Sequence, residues 1–137
     1  MEKLVNFVTY EPKQNNRFEV IFGEPFKIPQ YVVYETNRPR MTSLGEWDDM
    51  VFSMWDPIGP STSHAIINGV KELIKREEKF FNVTLNIFDP IGSIVETWVI
   101  RGFIDSIDFG NLKYDDSSKL VINLYFKTLS VNLIPLT

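Results

Sequence analysis

The chain has 137 residues, of which 44% are hydrophobic and 14% aromatic, enough to form the core of one ordinary domain. It contains no cysteine and a single histidine, which excludes disulfide frameworks, thiol nucleophiles and histidine-rich zinc sites. The 14 basic and 18 acidic residues give a net charge of −4, so the chain lacks the basic surface with which proteins hold nucleic-acid phosphates.

The N-terminal residues 1–12 contain only a short apolar run, with Glu2 and Lys3 beside it. This pattern is not that of a signal peptide. No apolar stretch of the chain approaches the length of a membrane span. The sequence therefore predicts a protein made in the cytoplasm without processing and without membrane contact.

Alternation of apolar and polar residues, which is typical of β-strands, dominates the chain. It occurs in RFEVIFG (17–23), QYVVYE (30–35) and DMVFSMW (49–55). The clearest case is FFNVTLNIF (80–88), in which one face is apolar and the other carries Asn82, Thr84 and Asn86. These four segments are predicted strands.

One segment, PSTSHAIINGVKELIKREE (60–78), has the apolar spacing of an amphipathic helix. Ser61 or Ser63 can serve as its N-cap. Gly69 is unfavourable inside a helix, so we expect close packing at that position. The predicted buried stripe consists of Ile66, Ile67, Val70, Leu73 and Ile74.

Two long strands are predicted after the turn at 89–92, in SIVETWVIRGFIDSIDF (93–109) and KLVINLYFKTLSVNLI (119–134). In the second, the apolar phase changes after Lys127, which predicts a bulge or a bend where the strand passes from one sheet to another. The similar segments MWDPIGP (54–60) and IFDPIGS (87–93) have different flanks and are interpreted as independent turns. About seven or more strands and one helix predict a mainly β fold, an antiparallel sandwich or barrel with the helix packed on it.

Carboxylates are the side chains of this sequence best suited to catalysis or metal binding, but their spacing argues against both roles. Asp105 and Asp108 are three residues apart, so on a regular strand they point to opposite faces unless a bulge intervenes. Asp115 and Asp116 lie in a turn without the ligand spacing of a calcium loop. His64 has no second histidine or nucleophile motif beside it. The sequence predicts no catalytic residue, no metal site and no cofactor.

A long segment, ETNRPRMTSLGEWDD (35–49), remains unexplained by the predicted strands. Loops of this length inside compact domains are usually functional or ordered by a partner. Acids beside Trp47 can also mark a sugar-binding face, and Trp55 and Trp98 are the other aromatic candidates for such a role. We expect residues 37–49 to be mobile in a single copy and to become ordered against a second copy of the chain.

The order of these segments resembles that of the tail tube proteins of contractile-tailed bacteriophages and, more distantly, of the Hcp tubes of type VI secretion. The resemblance covers nearly all of residues 1–137, read as a single domain. In the first half of the chain it depends on RFEVIFG, on YVVYETNRPRM and on WDDMVFSMWDP before the helix. In the second half it depends on the hairpin FNVTLNIFDPIGSIVETWVIRGFIDSIDFGNLKYDDSS and on the final strand KLVINLYFKTLSVNL. The chain is short for this family.

The resemblance implies a structural, non-enzymatic virion protein whose six-membered rings stack into the inner tail tube. Neighbouring subunits join strand edges into one barrel around a lumen, through which the genome is ejected. The implied partners are the chain itself, the tail sheath protein, and baseplate and tail terminator proteins, with DNA only passing through the lumen. Assembly in the host cytoplasm is implied as well.

Two surfaces of the chain are assigned within this interpretation. The inter-subunit stacking loop is predicted to contain Arg38, Arg40, Met41, Leu44 and Trp47. Asn82, Thr84 and Asn86 are predicted to face the lumen, because small uncharged side chains neither pair with phosphates nor stack on bases. A baseplate tube initiator of the same fold and a carbohydrate-binding β-sandwich remain the alternatives.

Overall fold

A computed structural model describes residues 13–115 and 117–135 of the chain. Within them it contains six β-strands and one α-helix, where the sequence predicts seven or more strands. All strand pairs are antiparallel, and the sheet order is β1-β4-β5-β6-β3-β2. The elements are β1 (Phe18–Phe22), β2 (Val33–Glu35), β3 (Met50–Trp55), α1 (Thr62–Lys75), β4 (Phe81–Phe88), β5 (Ile94–Asp108) and β6 (Val121–Pro135). The predicted class, mainly antiparallel β with one helix, is confirmed as a nearly closed, barrel-like sheet.

The two long strands β5 and β6 divide the sheet into two halves. The β4 half consists of β1, β4, residues 94–102 of β5 and residues 128–135 of β6. The β3 half consists of residues 103–108 of β5, residues 121–127 of β6, β3 and β2. The hairpin of β5 and β6 is therefore shared, and each half has different outer strands.

Bulges lie where the halves meet. Thr128 is opposite Gly102 and Ser130 is opposite Arg101, so Leu129 is an extra residue on β6. This is the bulge that the phase change after Lys127 predicts. The expected passage from one sheet to another does not occur, because the sheet is continuous. The bulge instead allows one long strand to pair within both halves.

The apolar faces of the two halves pack against each other and form the core. Phe22 of β1 contacts Phe52 of β3 with ring centroids 5.3 Å apart, and Phe81 contacts Phe126 at 5.4 Å, in edge-to-face geometry. The alternation of the predicted strands is confirmed in β1 and β3, whose buried positions are apolar, and in β4 with the exception of the buried Asn86. Fully buried side chains include Val20, Met50, Phe52, Met54, Val83, Leu85, Ile100, Ile122, Leu124 and Phe126.

Helix α1 begins at the predicted cap, where Oγ of Ser61 accepts from the backbone N–H of His64. Gly69 packs against Phe26 so closely that a Cβ atom would lie 2.2 Å from the ring atom Cδ1. The predicted buried stripe is too wide. The buried residues are Thr62, Ile66, Gly69 and Leu73, which form one narrow line along the helix, whereas Ile67 and Ile74 are 41% and 70% exposed.

The two similar turn segments use aspartate in the same local way. Oδ1 of Asp89 accepts from the N–H groups of Ile91 and Ser93 in the β4–β5 turn. Oδ1 of Asp56 accepts from the N–H groups of Thr62 and Ser63 at the start of α1. Burial raises the pKa of Asp56, but its hydrogen bonds outweigh burial and hold that pKa below the usual range.

Candidate assembly surface

The loop that carries the predicted stacking residues forms a small hairpin at residues 40–48. Met41 and Trp47 form an isolated antiparallel bridge, and the N–H of Thr42 donates to the carbonyl of Glu46 across 2.7 Å. Oγ1 of Thr42 also accepts from the N–H groups of Leu44 and Glu46. The tip is thus hydrogen-bonded within a single copy, and the mobility expected of residues 37–49 before assembly stays a prediction.

The hairpin presents apolar side chains outward. Leu44 at its tip is 84% exposed and Met41 is 55% exposed, whereas Trp47 is only half-exposed. Arg40 forms an exposed ion pair with Asp48 (3.2 Å) across the hairpin, which contributes little to stability. Leu44 and Met41 are therefore the apolar members of the predicted set with the most surface to offer a partner.

Arg38 lies apart from the tip, at the base of the loop, in an ionic cluster around Glu96 of β5. The Glu96 carboxylate is nearly buried and accepts from Nζ of Lys13 (2.6 Å), Nη1 of Arg38 (3.1 Å) and Nε1 of Trp98 (2.7 Å). Burial raises the pKa of Glu96, but these donors outweigh it and hold the pKa below the usual range. The cluster ties the loop base and the segment before β1 to the β4 half.

Glu96 belongs to none of the predicted sites, because its partners are distant in the chain. Its one local signal is its phase, because it lies two and four residues before Trp98 and Ile100, which face the core. A glutamate at such a position needs a cation or several donors. The sequence alone does not identify which of 14 basic residues supplies them.

The predicted lumen residues do not have equal exposure. Asn82 is exposed and Thr84 is half-buried, but Asn86 is only 6% exposed, because its amide donates to Glu19 (2.9 Å) and accepts from Thr97 (2.7 Å). The Asn86 side chain therefore holds neighbouring strands together by hydrogen bonds and offers almost no accessible surface to a lumen. The face also carries a cation, since Arg101 is opposite Asn82 and donates to its Oδ1 across 3.2 Å.

The described aspartates of the sequence analysis lie in a bulge, a turn and an ion pair. Asp105 is the extra residue of a second bulge, and Oδ1 of Asp108 accepts from the N–H of Gly110 in a turn. Asp49 lies 3.1 Å from Nζ of Lys127 and raises the pKa of that lysine, with a smaller effect from Asp105. Asp116 lies outside the described residues. Across residues 13–115 and 117–135, no three His, Asp or Glu side chains are grouped to hold a metal ion.

The three tryptophans have partners within the chain. Trp55 stacks on Tyr34 with centroids 4.1 Å apart and is covered by Nζ of Lys119 at 4.9 Å. Trp98 donates to Glu96, and Trp47 lies in the loop hairpin. His64 has an exposed side chain on α1.

The fold has counterparts among solved structures. Over 93% of this chain and 94% of the other, it is similar at a TM-score of 0.69 and 11% identity to a chain from the sheath–tube complex of PVC, an extracellular contractile injection system. A chain from the tube-terminating cap of the anti-feeding prophage has a TM-score of 0.67 at 12% identity, over 95% of each chain. A chain from the baseplate of that particle has a TM-score of 0.62 at 14% identity, over 93% and 98%.

The chain therefore has the fold of tail tube-like proteins, as the resemblance predicts. Its neighbours are structural components of tubes, tube terminators and baseplates. Coverage of 94–98% of those chains means that its short length is shared with them. No protein-family model matches the sequence, and no curated protein matches it. Among the described residues, no helix is long and apolar enough to span a membrane.

Proposed function

We propose that this protein is a structural subunit of the inner tube of a contractile tail or injection particle. Six copies form a ring, and rings stack into a tube that a sheath surrounds and that baseplate and terminator proteins close at its ends. The observation that carries this proposal is the shared fold with tube, terminator and baseplate components over nearly the whole chain. Its role is mechanical rather than catalytic.

The loop hairpin is proposed as the contact between stacked rings. Leu44 and Met41 extend from a hairpin whose base is fixed to β5 through Arg38 and Glu96, so an apolar tip is held in a defined direction. A tip ordered before contact loses less conformational entropy when it binds. Arg40 forms its ion pair across the hairpin, and Trp47 bridges Met41 within it.

The outer face of the β4 half is proposed as the lumen wall. Asn82 and Thr84 give it small uncharged side chains, and Asn86 supports them from below. Arg101 adds one cation per copy, partly engaged by Asn82. Such a wall holds DNA weakly, because few phosphates are neutralised and few counterions are released. Genome passage is the proposed use of the lumen, in a virion assembled in the host cytoplasm.

A tube initiator or terminator is the second candidate, because two of the neighbouring structures come from a terminating cap and a baseplate. Such proteins have the same fold but do not extend a tube by themselves. Negative-stain electron microscopy of the concentrated purified protein separates the candidates. Long tubes support the tube protein, single rings support the initiator or terminator, and a persistent monomer that binds glycans supports the carbohydrate-binding alternative.

A further inference from the structure

A cavity of about 240 Å³ lies at the end of the β4 half where β1 begins and β4 ends. Its floor consists of the core side chains of Phe18, Leu85 and Ile87. Its rim consists of residues 13–15 before β1 and residues 36–38 at the base of the loop hairpin. The open ends of barrel-like sheets are common places for small-molecule sites, particularly where a few polar groups surround an apolar floor.

The cavity is large enough for one aromatic ring with a short substituent. An engineered apolar cavity of about 150 Å³ binds benzene, and the volume here exceeds that. The ring of Phe18 in the floor favours an aromatic ligand over an aliphatic one, because paired rings gain more than the area they bury.

The rim carries a surplus of positive charge. Lys13 and Arg38 both line the cavity and both bind the carboxylate of Glu96, so one positive charge is left uncompensated. Among the described residues that line the cavity, none carries a carboxylate. Each cation gives Glu96 one hydrogen bond, whereas lysine has three N–H donors and arginine has five. Glu96 therefore holds both side chains in place and leaves donors for an anion.

We propose that this cavity binds a small monocarboxylate with an aromatic body. The ligand carboxylate lies at Lys13 and Arg38, and its ring lies against the apolar floor. One surplus charge matches a monoanion, and the planar guanidinium of arginine matches a carboxylate in shape. Such a ligand connects the segment before β1, the loop base and the β4 half, so its binding stabilises the folded chain. The proposal does not depend on the tube function.

Two larger depressions of the surface are less suited to an anion. One, of about 440 Å³ beside α1, is lined by Glu24 and Glu72. The other, of about 530 Å³, is lined by Glu24, Glu77 and Glu78. Cations line both depressions as well, but the carboxylates repel a negative ligand there because like charges repel.

Isothermal titration calorimetry of the full-length chain with 3-phenylpropionate tests the proposal. 3-Phenylpropanol has the same body without the charge, and inorganic phosphate has charge without the body. We expect one acid molecule per chain and about tenfold weaker binding of the alcohol, because hydrogen bonds between charged groups are the stronger ones. Phosphate should not bind at the same concentrations. No saturable binding of the acid, equal affinity for acid and alcohol, or phosphate binding as tight as that of the acid overturns the proposal.

Two substitutions change the local charge in opposite directions. Lys13→Gln removes the surplus charge and leaves Glu96 paired with Arg38 and Trp98, so the chain should still fold. We expect its affinity for 3-phenylpropionate to fall about tenfold, while its affinity for 3-phenylpropanol is unchanged. Glu96→Gln raises the surplus to two charges and should tighten the binding of the acid. Lys75→Gln, at an exposed position of α1, is the control and should leave both affinities unchanged.

A purely structural role of the ionic cluster predicts a different result. Lys13→Gln and Glu96→Gln would then both disturb the rim and weaken the acid and the alcohol alike, and that outcome overturns the proposal. A loss of acid binding in Lys75→Gln equal to that in Lys13→Gln overturns it as well. Circular dichroism checks the fold of each variant, and Lys13→Gln decides by itself where Glu96→Gln unfolds.

Discussion

Nη1 of Arg38 lies 3.1 Å from Oε1 of Glu96, although 58 residues separate the two in the sequence. Arg38 stands where the chain leaves β2 for the loop hairpin, and Glu96 stands near the start of β5. Their ion pair therefore connects the base of the hairpin to the β4 half of the sheet. Lys13 and Trp98 complete the coordination of the same carboxylate, so the pair is supported from three sides.

Replacing Glu96 with Gln tests the contribution of this cluster to stability. The amide retains an acceptor but loses the charge that Lys13 and Arg38 pair with, so we expect a loss of about 1–3 kcal/mol at pH 7. Urea denaturation measures it. The exposed Glu24→Gln serves as the control, with a change within about 0.5 kcal/mol. Equal, small losses for both variants contradict a structural role for the cluster.

The same carboxyl predicts a pH dependence. The pKa of Glu96 is lower in the folded chain than its usual value of about 4.3. The stabilisation is therefore complete above that usual value and is lost as pH falls towards the folded-state pKa. The stability difference between wild type and Glu96→Gln should stay constant well above the usual pKa of about 4.3 and shrink over the pH range below it. A difference that stays constant in urea denaturation over this range contradicts the assignment.

The helix offers a matched pair of large-to-small changes. Leu73 is 6% exposed and its neighbour Ile74 is 70% exposed. Leu73→Ala should cost about 2–5 kcal/mol, because it leaves a cavity in the core. Ile74→Ala should cost less than about 1 kcal/mol. Denaturation midpoints that fall equally for both variants would mean that the wider stripe predicted from the sequence is the buried one.

Gly69→Ala should destabilise the chain although alanine is the better helix former. The helix gains about 1 kcal/mol from the exchange. The added methyl group collides with the ring of Phe26, however, and overpacking typically costs about 1–3 kcal/mol. Asn68→Ala at the adjacent exposed position serves as the control and should be neutral or stabilising. Thermal or urea unfolding distinguishes the two, and a more stable Gly69→Ala refutes the close packing.

Leu44 should matter for stacking and not for folding. Leu44→Ser removes a side chain that is 84% exposed, so its effect on monomer stability should lie within about 0.5 kcal/mol. Tubes of the variant should be shorter or absent when measured by electron microscopy. Ile74→Ser, at an exposed position of the helix, should leave tube length unchanged. Normal tubes from Leu44→Ser remove the hairpin tip from the stacking contact.

The lumen assignment predicts an effect of added charge on DNA. Asn82→Lys/Thr84→Lys in assembled tubes should slow DNA passage, with the delay easing as salt concentration rises. The control Gln30→Lys/Asn68→Lys adds the same charge at exposed positions elsewhere and should leave the rate unchanged. Ejection kinetics of assembled particles at low and high salt provide the measurement. Wild-type kinetics for the first variant at low salt place this face outside the lumen.

Local features of the fold follow from the sequence by itself. The strands, the cap at Ser61, the turn at residues 89–92, the bulge after Lys127 and the tight packing of Gly69 depend on side-chain alternation, turn chemistry and the steric needs of neighbouring residues. These interactions span a few residues, so a linear pattern encodes them. The mainly β class with one helix follows for the same reason.

The tertiary structure alone decided which segments meet. The order of strands in the sheet, the pairing of Arg38 with Glu96, and the burial of Asn86 by Glu19 and Thr97 join positions far apart in the chain. The edge strands of the sheet are also decided by the tertiary structure, because a strand lies at an edge only where no further strand pairs with it. The alternation of residues predicts which face of a strand is apolar. The register of that strand and its neighbouring strands depend on the packing of the whole sheet around one core.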